Sequence, residues 1–590
     1  MEKELGTTYT FVGGNNKNRI GGSCSILEHK FSKGLPPARV MFDLGALFAP
    51  DYCLDVDAAI PDVREYLDSK DSVAQKRLDA LFVSHGHEDH IGGLVHLARA
   101  GYTFPPIYAS KGTLELLKAA LNEACVDLTA EDWKNKLVEV KAGEPIKIMS
   151  KINQQFSGVE IEPFNVSHST IGALGFHTLT TIDGKVEAGI LHPGDFHLDK
   201  VRVGEGFDEE KFKELLNRKP VTHAILDSTS SGSSDEYLVT HEDAVNNTVE
   251  VVNRYPEKQV VSAVISRSVQ NLAIDLDVAK KTGRKVFLDG YWLKIAYKAM
   301  EKSGVTEYND DKVVFFGSAG KYKSEVPVSK RYIITSGAFA ESKKGAKSGL
   351  YKMSEQEKVK TTKNKKSVKE ISKADISGHP DFKVGDDTIN LGRQRCIEEI
   401  NGKQVRAMYA RLAALGCTII ANENETPLGN FQTAKMQRSG HATRNETKKF
   451  VSMIVDSQKR PSDVTFIPTH GNPAQLINTA KAVKSAGGSF FFGNNLDVLQ
   501  LSKDNTSKVD ELMSDLWIGV CEESDNASTI AKYSYMLVDE NFVQKAKLFD
   551  VKIEKPRRKN SWESFKDSQQ DEKSAVYGKS YWKNNKKNSR

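Results

Sequence analysis

Residues 83–93, read as Val83-Ser84-His85-Gly86-His87-Glu88-Asp89-His90-Ile91-Gly92-Gly93, leave little freedom in how this chain folds. Leu81, Phe82 and Val83 read as the end of a buried strand. His85 and His87 follow at i and i+2, so in an extended segment both rings point the same way. Asp89 and His90 fall where Ile91-Gly92-Gly93-Leu94 opens a helix, which turns them towards the same space from the other side. Four nitrogen or oxygen donors thus converge within six residues, more than one tetrahedral ion with an open position can use. Two metals that share the ligands and hold a water between them satisfy the pattern. The bland alternative is a helix capped by histidines.

At 590 residues the chain has room for several domains. With 39% hydrophobic and 27% charged residues it reads as a globular protein with ample core. No apolar run approaches the ~18–20 residues of a membrane span, and the start, Met1-Glu2-Lys3-Glu4-Leu5, lacks a signal-peptide core. The six cysteines (24, 53, 125, 396, 417, 521) are scattered without a CxxC pair. They read as reduced thiols of a cytoplasmic protein. The net charge of +5 is too mild to name a partner by itself.

Residues 9–12, 25–27 and 39–42 read as strands, the first followed by the Gly13-Gly14-Asn15-Asn16 turn. Asp43 ends the third, where a carboxylate is either a turn residue or the group that orients a metal-binding histidine from behind. Residues 111–125 read as a helix. Strands around 159–166 and 186–191 lead into Val166-Ser167-His168-Ser169 and His192-Pro193-Gly194-Asp195-Phe196. Alone, His168 is an ordinary histidine and Asp195 a turn aspartate. They gain meaning because the upstream metal site is incomplete and needs ligands from other strand ends.

From about 221 strands and helices alternate at longer spacing: 224–226 into Asp227-Ser228-Thr229, 260–265 with a helical run to Thr282, then strands at 285–288, 312–316 and 331–335. That rhythm predicts a second, mainly parallel α/β unit. Residues 342–373 are rich in Lys, Ser and Thr, either a solvated insertion or a loop that touches a polyanion. Another strand–helix–strand spans 387–420. Ser439-Gly440-His441-Ala442 precedes a helix, and Pro468-Thr469-His470-Gly471 ends a strand that a helix over 474–485 follows. The last strand-like piece is 489–492. After about 545 the chain reads as a disordered tail whose Trp562, Phe565, Tyr577, Tyr581 and Trp582 among lysines could stack on single-stranded nucleic acid.

His85-Gly86-His87-Glu88-Asp89-His90, His168 and Asp195 resemble the successive motifs of the metallo-β-lactamase fold. Asp227-Ser228-Thr229, Ser439-Gly440-His441-Ala442 and Pro468-Thr469-His470-Gly471 resemble the motifs of its nucleic-acid-processing branch, the β-CASP nucleases. Within that branch the chain is most similar to ribonuclease J, through Phe42-Asp43-Leu44-Gly45-Ala46-Leu47-Phe48, Ile60-Pro61-Asp62 and Pro193-Gly194-Asp195-Phe196. The resemblance covers roughly 8–490. Val264-Ile265-Ser266-Arg267 stands where the family usually has a Phe-Ala-Ser-Asn-like phrase, and Gly392-Arg393-Gln394-Arg395 replaces its Pro-Gly-Asn loop.

The resemblance implies an α/β protein: a metallo-β-lactamase αββα sandwich over 1–221 and 431–500, an inserted β-CASP domain over 222–430, and a basic, partly disordered extension over 501–590. It implies one metal on His85, His87 and His168, another on Asp89, His90 and His470, and Asp195 between them. The donors suit two zinc ions, with manganese also compatible. Asp89, Asp195, Asp227 and His441 are the expected catalytic set. His441, held by Asp227, is expected to protonate the leaving 3′-oxygen, because imidazoles titrate near neutral pH. Ser266, Ser439, Gly440 and His441 are expected to touch substrate. The remaining histidines, 29, 96, 177, 192, 197, 223, 241 and 379, read as structural, with His192 and His197 set apart because they flank Asp195. The implied activity is hydrolysis of single-stranded RNA by hydroxide attack at two metals, as a 5′-to-3′ exonuclease, an endonuclease or both. A homo-oligomer is left open. A DNA nuclease of the same family and a catalytically silent RNA-binding scaffold are the competing readings.

Overall fold

The computed structural model describes residues 5–15, 20–48, 56–70, 72–152, 155–233, 239–308, 313–315, 326–337, 348–355, 382–393, 402–422, 432–458, 464–502, 505–511, 517–523, 530–539 and 544–554. Two mixed sheets lie face to face. The first has eight strands, in the order Asn505–Glu511, Asp497–Ser502, Gly6–Gly13, Cys24–Lys30, Ala38–Phe42, Ala80–Phe82, Ile107–Ala109 and Leu137–Glu139. The second has seven: Ser489–Phe490, Thr465–Thr469, His223–Asp227, Lys185–His192, Leu174–Ile182, Gln155–Asn165 and Ile146–Ile152. Alternation along the strands sorts the side chains between layers. Phe42 and Phe82 of the first sheet meet Phe176, Ile190, Ile225 and Ile467 of the second in one core. Met41 and Leu81 face outwards onto the helices Glu88–Arg99 and Lys111–Glu123. Ala224, Leu226 and Phe466 face the helices Glu209–Arg218, Arg444–Ser457 and Pro473–Ser485. The result is the αββα sandwich expected.

The Glu88–Arg99 helix begins against backbone rather than side chains. Leu44 N donates to His90 O at 2.9 Å, and Leu94 N to Leu44 O at 3.0 Å. A Cβ at Gly45 would lie 1.7 Å from Asp89 O, and one at Gly93 would lie 2.6 Å from Gly45 O. Glycines here let two chain segments touch, and that contact fixes where Asp89 and His90 stand.

A third sheet is wholly parallel, in the order Val313–Phe315, Lys285–Asp289, Arg331–Ser336, Gln259–Val264, Thr388–Gly392, Thr418–Asn422 and Gln432–Ala434. Both faces are covered, which explains the near-continuous apolar runs of its strands. Two strands fall outside the units expected for them. His223–Asp227 lies inside the second sheet, between Lys185–His192 and Thr465–Thr469. Gln432–Ala434 pairs with Thr418–Asn422 in the third. A strand at the junction of two units carries no local mark of which sheet it joins.

The extension from 501 differs more from expectation. Asn505–Glu511 edges the first sheet, and Trp517–Glu523, Ile530–Val538 and Gln544–Glu554 join Ala58–Pro61 and Leu47–Phe48 in an antiparallel fourth sheet. Ile518, Val520, Ala531, Tyr533 and Tyr535 pack into the core that holds Ile91, Leu94 and Leu97 of the Glu88–Arg99 helix. Lys532, between Ala531 and Tyr533, and the exposed Lys552, between Val551 and Ile553, alternate with apolar side chains that pack inwards. Residues 358–366 of the lysine-rich insertion and the aromatics of 562–582 lie outside the described residues. Among the described residues Cys24, Cys125, Cys417 and Cys521 form no disulfide, and no helix is long and apolar enough to cross a membrane.

Candidate metal centre

The candidate ligands gather at the carboxyl ends of strands from both sandwich sheets. Ala80–Phe82 delivers His85 and His87, Gln155–Asn165 delivers His168, Lys185–His192 delivers Asp195, and Thr465–Thr469 delivers His470. Three groups of close donor atoms result: His85, His87 and His168; Asp89, His90, Asp195 and His470; and Asp195, Asp227, His441 and His470. Every residue expected as a metal ligand belongs to one of the first two.

The first group is three imidazoles aimed at one point. His87 Nδ1 lies 3.1 Å from both His85 Nε2 and His168 Nε2. Metal–nitrogen bonds of about 2.0–2.1 Å at tetrahedral angles space neighbouring ligand atoms by about 3.3 Å, close to this geometry. His168 Nδ1 lies 2.6 Å from Gly440 O. A carbonyl only accepts, so Nδ1 carries the proton and Nε2 presents its lone pair inwards. Burial holds the His168 imidazole down to about 4, which keeps it neutral. Burial, then the neighbouring imidazoles, push His85 and His87 well below the ordinary histidine value.

The second group has the opposite electrostatics. Asp43 Oδ2 accepts from His90 Nδ1 at 2.8 Å, so His90 Nε2 faces the site, without a hydrogen-bond partner and 3.2 Å from Asp195 Oδ2. His470 Nε2 is likewise buried without a partner, 3.4 Å from Asp89 Oδ2. Burial opposes charge on both rings, but the carboxylates win. Asp195, Asp43 and Asp89 hold His90 well above its ordinary value, and Asp195, Asp227 and Asp89 raise His470 to about 10. Burial likewise opposes charge on Asp89, Asp195 and Asp227, yet the surrounding histidines hold all three carboxyls below their ordinary range. Lone pairs and carboxylates this dense need positive charge among them. Protons fill that need in the bare chain, and a divalent cation fits the same donors.

Residues behind the ligands set them in place. Asp43, in left-handed backbone (φ 56°), accepts from Ser84 N at 2.7 Å and Ser84 Oγ at 2.8 Å besides His90. His470 is also left-handed (φ 55°), a strained conformation for a residue with a Cβ. Asn15 Oδ1 accepts from Thr469 Oγ1 at 2.5 Å and His470 N at 3.2 Å, and Thr229 Oγ1 lies 2.8 Å from His470 Nδ1. Sequence reading missed the parts played by Asn15, Thr229 and Ser84. Asn15 sat in a Gly-Gly-Asn-Asn turn and signalled only a turn.

His441 stands beside the second group. Its Nδ1 lies 2.8 Å from Asp227 Oδ2 and 3.8 Å from Asp195 Oδ2. Ser439 is exposed, its Oγ accepting from His441 N at 3.2 Å and lying 3.3 Å from Ser230 Oγ. A Cβ at Gly440 would lie 2.8 Å from the His168 ring. Ser266 is half-buried at the carboxyl end of Gln259–Val264. Of the two histidines flanking Asp195, His192 packs edge-on to Phe42 at 5.2 Å, and His197 N donates to Ser167 O at 2.8 Å, beside His168. His29, His177, His223 and His241 are hydrogen-bonded away from the site, and His379 lies outside the described residues.

Residues 57–208 match the family described as the Beta-lactamase superfamily domain. Ribonuclease J 2 of Staphylococcus saprophyticus is 24% identical over 308 residues, which is 52% of this chain and 50% of that protein. Ribonuclease J 1 of Streptococcus pyogenes is 26% identical over 284 residues, 48% of this chain and 44% of that protein. The chain thus spans about half the length of the curated relatives it matches. The crystal structure of a protein of unknown function from Enterococcus faecalis V583 superposes with a TM-score of 0.52 at 16% identity, covering 84% of this chain and all of that one, a likeness of fold alone. With its αββα sandwich and convergent histidines and aspartates, the chain carries a beta-lactamase superfamily domain over residues 57–208 and is similar to ribonuclease J over about half its length.

Proposed function

We propose that this chain is a metal-dependent ribonuclease that cuts single-stranded RNA to leave 5′-phosphate and 3′-hydroxyl ends. The observation that carries the reading is the pair of adjoining donor groups, His85/His87/His168 and Asp89/His90/Asp195/His470, with His441 and Asp227 beside them. A plain small-ester hydrolase does not need that last pair. Asp195 would serve both groups, a reading supported by its Oδ2 lying 3.2 Å from His90 Nε2 and 3.9 Å from His85 Nε2. Two divalent ions, zinc by donor type with manganese compatible, would supply a water acidified towards about pH 7 and neutralise the oxygens of a scissile phosphate. Asp227 engages Nδ1 of His441 and so leaves Nε2 to hold the proton that the departing 3′-oxygen takes.

In this reading the parallel third sheet is the core of a β-CASP-type unit, roughly 222–430, inserted in the sandwich and closing over the metal face. In this reading Ser266, at the end of one of its strands, would border a channel for a single strand together with Ser439 and Gly440. Ligands of open parallel sheets bind at that edge. The lysines of 342–373 would add salt-dependent affinity without choosing a sequence. The role is cytoplasmic RNA processing or decay.

The test is cleavage of a labelled single-stranded RNA and its DNA counterpart by wild type and His87→Ala, with added zinc or manganese. Metal-dependent RNA loss that vanishes in the variant is expected. Mononucleotide release favoured by a 5′-monophosphate over a 5′-triphosphate would identify a 5′ exonuclease, and internal cuts an endonuclease. Preference for DNA would move the chain to the repair-type branch. RNA binding without any cleavage would replace the enzyme by a scaffold.

A further inference from the structure

The turn that opens the Val269–Lys281 helix touches both segments that carry the first histidine group. Arg267 Nη2 lies 2.7 Å from Glu88 Oε2, and its Nη1 donates to Gly86 O at 3.3 Å, so one guanidinium grips the chain on either side of His87. Three residues on, Gln270 N donates to Ser169 O at 3.0 Å, next to His168. Ser169 Oγ in turn lies 3.3 Å from His87 Nε2. The turn itself is held firmly. The Trp292 ring lies 3.9 Å from the Arg267 guanidinium carbon, whose side chain is 12% exposed. Gln270 Oε1 accepts from Arg202 N and Val203 N at 2.9 and 3.2 Å, and its Nε2 donates to Val203 O at 2.9 Å. A planar fork packed on an indole and engaging two acceptors holds its target more tightly than a point charge on a flexible stem.

We propose that Arg267 is a positioning residue for the His85–His87–His168 site. Through Glu88 and the Gly86 carbonyl it fixes the His87 segment at the spacing from His168 that the three imidazoles need. Metal affinity at a site built from sandwich loops then depends on the unit formed by the third sheet. The inference rests on reading these histidines as one half of a two-metal centre.

The test is zinc titration of the metal-stripped full chain against a chromogenic chelator, for wild type, Arg267→Met, Arg267→Lys and Lys302→Met. Arg267→Met is expected to weaken one zinc equivalent by about 10–100-fold, the usual effect of removing a group that orients a ligand, and to leave the other unchanged. Arg267→Lys restores part of that loss, because it keeps the charge facing Glu88 but not the fork. Lys302→Met breaks the 2.7 Å ion pair with Glu115 between the same two parts of the molecule, and both equivalents should stay at wild-type affinity. Circular dichroism and melting curves report folding. Should Arg267→Met not fold, Arg267→Lys decides alone, a weakening of about threefold or more supporting the proposal and wild-type affinity overturning it. Wild-type zinc binding by folded Arg267→Met, or an equal loss in Lys302→Met, also overturns it while leaving the two-metal reading intact. A wild type that binds no zinc and no manganese sinks both. One that binds zinc but spares RNA sinks the nuclease reading alone.

Discussion

Asp227 spends its two oxygens on different partners: Oδ2 on His441, and Oδ1 on Thr229 Oγ1 at 2.8 Å and Thr229 N at 2.9 Å. That carboxylate fixes the His441 ring in one orientation, so losing the imidazole should cost chemistry rather than metal. His441→Ala is expected to lower kcat by about 10²–10⁴-fold with bound zinc unchanged, as measured by single-turnover cleavage and metal analysis. A kcat within a few-fold of wild type would remove His441 from proton transfer. Elsewhere a histidine is kept neutral for structure. Burial holds His177 down to about 4 although its Nε2 donates to Pro220 O at 3.0 Å, and burial does the same to His96. An unfolded chain takes up those protons at about 6.5, so between about 6.5 and 4 it binds more protons than the folded one. The stabilisation is therefore whole above about 6.5 and is lost as pH falls through about 4. Urea midpoints should fall between pH 7 and pH 4.5, and His177→Gln, which keeps a donor for Pro220, should fall less steeply. An identical slope in that variant would assign the pH dependence to other groups.

The Glu88–Arg99 helix shows how an element can be built against its own propensity. Gly92 and Gly93 weaken a helix by roughly 0.5–1 kcal/mol each relative to alanine. They stay because the 44–46 backbone runs across the helix start, where the amides of Leu44 and Leu94 exchange bonds with His90 and Leu44. On an exposed helix Gly93→Ala would stabilise. Here the added carbon meets Gly45 O at 2.6 Å and Leu44 O at 3.1 Å, both rigid backbone, so the sign reverses. A loss of about 1–3 kcal/mol, the usual cost of overpacking, is expected from chemical denaturation, with weaker metal binding because Asp89 and His90 move with the helix. Increased stability would mean that the contact yields.

Across the whole molecule, the segment from 517 is part of the architecture around the metal centre. The Trp517 ring fills the space beside Gly22 and Leu47: a Cβ at Gly22 would lie 2.9 Å from it. Gly21 in turn faces the Asp89 side chain, and Ser23 N donates to Asp89 O at 2.9 Å. Tyr535 OH donates to His96 O at 2.9 Å, and the Arg99 guanidinium lies 4.0 Å from the Tyr533 ring. The fourth sheet thus braces both ends of the helix that bears Asp89 and His90. Trp517→Ala is expected to cost about 3–5 kcal/mol, the range for emptying a buried indole site, in urea denaturation. A change below about 1 kcal/mol would show that this sheet packs without supporting the sandwich.

What the sequence determined by itself is local and chemical. The spacing of His85, His87, Asp89 and His90 at a strand-to-helix junction sets their directions through backbone geometry alone, and it demanded further ligands from other strand ends. His168 and Asp195 met that demand because a polar group straight after an apolar run marks the end of a buried strand, and the family resemblance added His470. Asp43 was legible for the same reason. Tertiary structure alone decided which distant groups hold these ligands. Asn15 reaches His470 across more than four hundred residues, Arg267 meets Glu88 across an interface between sheets, and alternating strands within 517–554 bury one face that composition had hidden. Such contacts depend on how sheets stack and where chain segments return. A single asparagine, arginine or alternating run reads the same in sequence whether or not a partner awaits it.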